Sequence, residues 1–483
     1  MKAAIAATKG TSTPVADFLF QYDESGASRF HMPGHKGRLP QCMREKDPEL
    51  EAVLGRDITE VHGADVLSAP TGILAKSEAL TTKAFGSRHS FFCAGGSSQT
   101  IKAMLSLACT PLYGEPKHTH IAAGRNAHRS FLAAASLLPV DVSWIPSDAE
   151  TATLTSCPIS PDSLREYLVE KREEGNAVTH VYITSPDYLG NMADITGLAK
   201  VCHSEGALLL VDNAHGAYLK FTPTDLHPLS LGADLVCNSA HKTLPALTGT
   251  AYLHVSKNAP SFSDATVREA LSLWGSSSPS WLMLESLDLL NCYFEKDIYT
   301  DMADCCHAVD EIREKCREME IPLYGEEPLR ISFSVPGHGP ELAGLFRANK
   351  MYAEYADPDF LVLMITPGNT AEDFKRLSDF LPEIKKIVQM ETDTDKERAR
   401  IHRAMALPTR GDCRLPERVY TLQEAVRRPF TVVPTSESEG RVLARPASFC
   451  PPAVLPAIPG ERIDKAIVEC LMYYNISEVP VLL

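Results

Sequence analysis

No stretch of this sequence approaches the ~20 consecutive apolar residues of a membrane span. The opening MKAAIAATKG carries only five apolar residues between Lys2 and Thr8, too few for the apolar region of a secretory signal. Basic charge is also short: 47 Lys and Arg face 62 Asp and Glu, a net charge of −15. A nucleic-acid binder normally carries a basic surface, so that class is set aside, whereas a cationic substrate is compatible. The thirteen cysteines include no C-x-x-C pair, and Cys305 and Cys306 are adjacent. An odd, unpatterned set points to free thiols in a reducing compartment rather than to a disulfide framework or a metal site. The chain has no internal repeats. Together these absences lead us to expect a cytoplasmic protein with no membrane or nucleic-acid partner and no metal.

What is present suits an ordinary globular enzyme, with 44% hydrophobic and 23% charged residues over 483 positions. Residues 1–60 form an N-terminal arm whose RFHMPGHKGRLP is too rich in Gly and Pro to be a helix. Residues 61–300 alternate helical spacing with short apolar strands, VTHVYITSP, ALLLVDNAH and ADLVCNSAH, and an amphipathic helix DITGLAKVCHSEG lies between two of them. That alternation predicts a mostly parallel sheet covered on both faces, an α/β fold. Residues 301–390 read as a smaller α/β unit around LRISFSVP and DFLVLMITPGNT. Residues 391–483 make a C-terminal domain. It is entered through the charged QMETDTDKERAR and contains VYTLQEAVRRP, a proline-rich ASFCPPAVLPAIPGERI and a closing helix DKAIVECLMYY.

The chemistry lies where strands end. In an open parallel sheet, ligands sit at the carboxyl ends of the strands. Here those ends carry Asp212 after LLLV, His241 and Lys242 after LVCNSA, and Pro186, Asp187 and Tyr188 after VYITS. Taken alone, Lys242 is a solvated loop lysine and Asp212 a turn residue. Together they match the needs of pyridoxal phosphate (PLP): an amine for the aldehyde, and a carboxylate that keeps the pyridine nitrogen protonated. CAGGSSQTIKAML supplies a phosphate site, because Gly95 and Gly96 allow close backbone approach and Ser97 and Ser98 add hydroxyls where a helix begins. His128, after HTHIAA, could stack on the ring or be a polar loop histidine. His215, three residues past Asp212, could be near the same site or cap a turn before Gly216.

FHMPGHKG, DITEVHGADVL, RNAHRS, SPDYLG, VDNAHGA, SAHKTLPALT, GSSSPSWLMLESLD and PPAVLPAIPGERI occur in an order that resembles the Orn/Lys/Arg decarboxylase family, over about residues 13 to 483. With no receiver-like domain in front, the chain is similar to the family's shorter members. The resemblance implies the fold type I, aspartate aminotransferase-like three-layer sandwich, with a smaller α/β part and an extra decarboxylase C-terminal domain. It implies that Lys242 is the Schiff-base lysine, that Asp212 partners the pyridine nitrogen and that His128 stacks on the ring. Gly96, Ser97, Ser98, Ser239 and His241 would surround the phosphate, and His215 would sit close to the cofactor. Asn213 stands where the family commonly has Glu, Gly249 where it has Gln, Ser97–Ser98 where it has Thr-Ser, and Asp187 where it often has Thr.

The implied activity is decarboxylation of arginine, lysine or ornithine to a polyamine-type amine and CO2, in a homodimer or higher homo-oligomer. Asp65, Asp187 and Glu461 are the candidate acids for the substrate's distal cation. Two other readings use the same residues: another fold type I reaction, such as an aminotransferase or aldolase, or a silent regulatory homologue. The presence of both Lys242 and Asp212 argues against the silent one.

Overall fold

In a computed structural model the protein is described over residues 13–110, 118–148, 154–390, 415–447 and 455–483. The readings of MKAAIAATKG and of most of the 389–400 charged segment lie outside these residues, as does the first half of the proline-rich stretch. The main sheet has seven strands: β1 (His89–Cys93), β2 (Thr119–Gly124), β3 (Val140–Ile145), β4 (His180–Thr184), β5 (Leu208–Asp212), β6 (Leu235–Ser239) and β7 (Ala251–Val255). They lie in the order β1-β7-β6-β5-β4-β2-β3. Only β7 runs against its neighbours.

The central strands are apolar at nearly every position because both faces are covered. Alternation inside them decides which layer each side chain meets. Tyr182, Leu210, Leu235 and Cys237 pack with Ile101, Leu105 and Phe131 from helices on one face. Val181, Ile183, Leu209, Val211 and Val236 pack with Leu164, Leu198 and Cys202 on the other. The helix expected from DITGLAKVCHSEG spans Ile195–Ser204, capped by the Asp194 side chain on Gly197 N.

A four-stranded sheet follows: β8 (Leu323–Tyr324), β9 (Arg330–Ser334), β10 (Tyr355–Ala356) and β11 (Phe360–Met364), ordered β10-β11-β9-β8. The antiparallel pair β12 (Phe430–Pro434) and β13 (Glu478–Leu482) belongs to the C-terminal part. The helix Lys465–Tyr473 precedes β13, and its Tyr473 hydroxyl donates to Asp359 beside β11.

The N-terminal arm contains a helix that its sequence did not announce. RFHMPGHKGRLP is indeed free of helix, but Pro14–Glu24 is a helix of 11 residues. Proline at the first helical position is pre-set for it. Val15, Ala16 and Leu19 are buried, and Asp288 accepts hydrogen bonds from Val15 N and Ala16 N at 3.0 and 2.9 Å. A carboxylate 272 residues away in sequence from Ala16 thus satisfies the helix start, which no local pattern reveals.

Candidate active site

β4, β5 and β6 are adjacent, and Thr184 pairs with Asp212 and Asp212 with Cys237. Their carboxyl ends therefore form one rim. β6 runs into a single helical turn, Ala240–Thr243, which lifts Lys242 off the strand end. The Lys242 Nζ lies 2.7 Å from His215 Nε2. On the other side of that ring, Arg330 Nη1 donates to Nδ1 at 3.0 Å and to the Tyr188 carbonyl at 3.0 Å. Burial lowers the Lys242 pKa; Asp212 opposes the shift and Arg330 adds to it. The His215 pKa falls well below its ordinary value, first through burial and then through Lys242 and Arg330.

Asp212 is buried at the end of β5. Its Oδ2 accepts from the Tyr182 hydroxyl at 2.9 Å, and its Oδ1 from Ala214 N at 3.1 Å and the Cys237 thiol at 3.3 Å. These contacts hold the carboxylate in one orientation. His128 caps the helix Arg129–Ala135, with Nδ1 accepting from Ser130 N at 3.1 Å. The ring is thus fixed by the helix it starts, and its neutral form carries the proton on Nε2. Burial pushes its pKa down to about 4 against the pull of Asp212.

The helix Gly96–Ala108 starts with no side-chain cap. Gly96 takes φ +66°, and its N–H donates at 2.7 Å to Gly249 O; Gly249 itself takes φ +94°. Left-handed backbone of this kind favours glycine, so the loop after Lys242 is tied to the helix start by two residues suited to it. A Cβ on Gly249 would also meet Met283 Cε at 2.6 Å. Both the backbone and the space at position 249 thus suit glycine.

Ser239 Oγ, at the end of β6, is buried without a hydrogen-bond partner among the described residues. Ser97 is buried at the helix start, and the His241 ring donates through Nδ1 to Thr250 O at 2.8 Å. An uncapped helix start beside a buried, unpartnered hydroxyl suits a phosphate. A buried carboxylate at the end of β5, with a half-buried lysine of lowered pKa just past the adjacent β6, suits the rest of PLP. The residues present therefore fit that cofactor. Among the described residues no cluster of His, Cys, Asp or Glu is arranged to hold a metal ion.

The family model for "Orn/Lys/Arg decarboxylase, major domain" matches residues 13–341. The chain belongs to the Orn/Lys/Arg decarboxylase family. It is 28% identical over 476 residues to the uncharacterised protein YaaO of Bacillus subtilis (strain 168), covering 95% of this chain and 94% of that one. It is 26% identical over 492 residues to an arginine decarboxylase of the same organism, covering 97% and 95%. The lysine decarboxylase LdcF of Francisella novicida superposes with a TM-score of 0.78 at 18% identity, covering 98% of this chain and 81% of that chain. The fold is fold type I, and the protein is a PLP-dependent amino-acid decarboxylase.

The three acids considered for a distal cation are held by their own chain. Asp65 accepts from Val66, Thr71, Gly72 and Leu74 N–H groups at 2.7 to 3.1 Å and so organises the start of the helix Ile73–Phe85. Asp187 is buried, accepting from Leu189 N, Asn191 N and Asn191 Nδ2 at 2.8 to 3.0 Å in a closed turn. Glu461 forms a two-pronged pair with the buried Arg125, at 3.1 and 2.8 Å, and accepts from Ile458 N. Each of these carboxylates has its oxygens engaged in shaping the fold, which leaves little to offer a substrate.

Two charged residues near the lysine were not picked out from the sequence. Arg330 opens β9 in the smaller sheet and reaches His215. Glu354, just before β10, is exposed, and its Oε1 accepts from the Tyr188 hydroxyl at 2.9 Å. The Tyr188 ring stands edge-on to His215, with centroids 5.1 Å apart. Neither residue belongs to a motif, and both lie more than eighty positions beyond Lys242, in and next to different strands of the smaller sheet, so only the tertiary structure brings them here.

Proposed function

We propose that this protein decarboxylates a basic amino acid, releasing its amine and CO2, with arginine the first substrate to test. The support is the pairing of Lys242 with Asp212 on one rim, within a family named for ornithine, lysine and arginine. Relatives carrying the arginine decarboxylase name match across nearly the whole chain. We also propose that the enzyme works in the cytoplasm as a homodimer or higher homo-oligomer and contributes to polyamine synthesis.

PLP, when bound, supplies an aldehyde for amines and a protonated ring that accepts the electron pair left by departing CO2. The chain's own residues set the conditions for this. Lys242 presents an amine whose proton is readily lost. Asp212, held by Tyr182 and Ala214, places a carboxylate where a ring nitrogen needs a counter-charge. His128, locked as a helix cap, offers a flat neutral ring to stack against the cofactor. Ser97, Ser98 and Ser239 offer hydroxyls to the phosphate, together with the N–H groups of the helix start.

Glu354 is the acid we assign to the distal cation, because it is exposed and only Tyr188 and His215 separate it from Lys242. Glu354→Gln should raise KM for the basic substrate by about tenfold or more while leaving PLP affinity unchanged, since a charge-assisted contact is worth roughly 1.5–3 kcal/mol. The function itself is tested by measuring CO2 and amine release from arginine, lysine and ornithine in turn. Transamination without CO2 release from all three would replace this reading with the aminotransferase one.

A further inference from the structure

Arginine has only donors, so the 3.0 Å contact from Arg330 Nη1 fixes His215 Nδ1 as an acceptor. A neutral imidazole then carries its proton on Nε2. That nitrogen faces Lys242 Nζ at 2.7 Å, and two donors cannot share so short a contact. We propose that Arg330 is a positioning residue that holds His215 in the Nε2–H tautomer, so that His215 donates to a neutral Lys242 amine kept ready to capture the cofactor. This rests on Lys242 being the PLP lysine.

The chain Arg330–His215–Lys242 draws on three elements: β9, the turn after β5 and the turn after β6. It is buried, with Arg330 and His215 each at 2% exposure or less. Arg330 is held in turn by the carbonyls of Tyr188 and Asp187 and faces Glu327 at 3.7 Å. Among the described residues its Nε and Nη2 have no hydrogen-bond partner, so its side-chain hydrogen bond is the one to His215, with Glu327 as an ion-pair neighbour. The groups acting on the pair are Asp212, Glu354 and Cys237, which favour a proton on Lys242, and Arg330, which with burial opposes it. His128 adds to the pressure against a second proton on His215. The net direction for both residues is toward the neutral form, in agreement with the hydrogen-bond logic.

The test uses cofactor-free full-length protein and trace acetic anhydride across a pH series, with acylation of each lysine read by peptide mass spectrometry. Only a neutral amine reacts, and each unit by which the inflection is lowered makes labelling at neutral pH roughly tenfold faster. Lys242 should titrate below the exposed lysines. Arg330→Lys keeps donor and charge and should preserve that inflection. Arg330→Gln keeps only a donor and should be intermediate, and Arg330→Met should be the most shifted toward ordinary lysine. Identical profiles for the Gln and Met variants would show that only the charge matters and would overturn the tautomer assignment.

Wild-type protein gives a second reading that needs no Arg330 variant. With 15N-labelled histidine, and His215→Gln used to assign the signals, Nε2 should carry the proton; a proton on Nδ1 overturns the proposal. None of these measurements involves turnover. A failure to release CO2 would therefore count against the proposed function and leave this result standing.

Discussion

Asp212 and Asp187 are both buried aspartates just past strands of one sheet, yet their surroundings assign them different work. Asp212 has three donors at the rim beside Lys242, whereas Asp187 closes a turn with Leu189 and Asn191. Asp212→Ala should therefore cut turnover at least about a hundredfold, ~2.7 kcal/mol of barrier, while some PLP still binds. Turnover assays beside a PLP titration check this, and near-normal turnover would place the ring's counter-charge elsewhere. Asp187→Asn should act on the fold. Its new NH2 group would face the Asn191 amide donors, costing about 1–3 kcal/mol of stability with substrate preference unchanged, as read from thermal unfolding and KM values. Lys242, Asp212 and His128 could be singled out in the sequence because each sits within a few residues of a strand end. The two aspartates look alike in sequence, since an acid after an apolar strand suits a turn and a site equally.

At the level of elements, the strands and helices of the main sheet were legible because short continuous apolar runs, helical spacing and capping are local patterns. The helix Pro14–Glu24 was not, because its first N–H groups are satisfied by Asp288 from a distant helix. That carboxylate is buried, which raises its pKa to about 6. Asp288→Ala should leave those donors unmet and lower the melting temperature, by about 1–3 kcal/mol in stability, while PLP affinity holds. Loss of PLP affinity alone, with stability intact, would contradict this role. The helix Gly96–Ala108 calls for the opposite outcome. Ser97→Asp places a negative charge where its dipole should favour a phosphate, so cofactor affinity should fall sharply in a PLP titration while the fold persists. Unchanged PLP binding would move the phosphate to another turn.

For the whole molecule, buried histidines set the response to acid. Among the described residues seven have pKa values lowered chiefly by burial, including His128 and His180 at about 4 and His227 at about 3. The unfolded chain takes up these protons near pH 6.5, and the folded chain does so at lower pH. Each such histidine thus contributes stability that is present above pH 6.5 and lost as pH falls toward 4. Four buried acids with raised pKa values, led by Asp357 at about 7, act in the opposite sense between about pH 4 and 7. The histidines outnumber them, so the melting temperature should fall as pH drops from 7 to 5; a rise over that range would contradict the balance. The central claim is that Lys242 carries the cofactor on this rim. Borohydride reduction of PLP-loaded protein, followed by peptide mapping, tests it most directly. The pyridoxyl group should appear on Lys242, and its appearance on any other lysine would contradict the account.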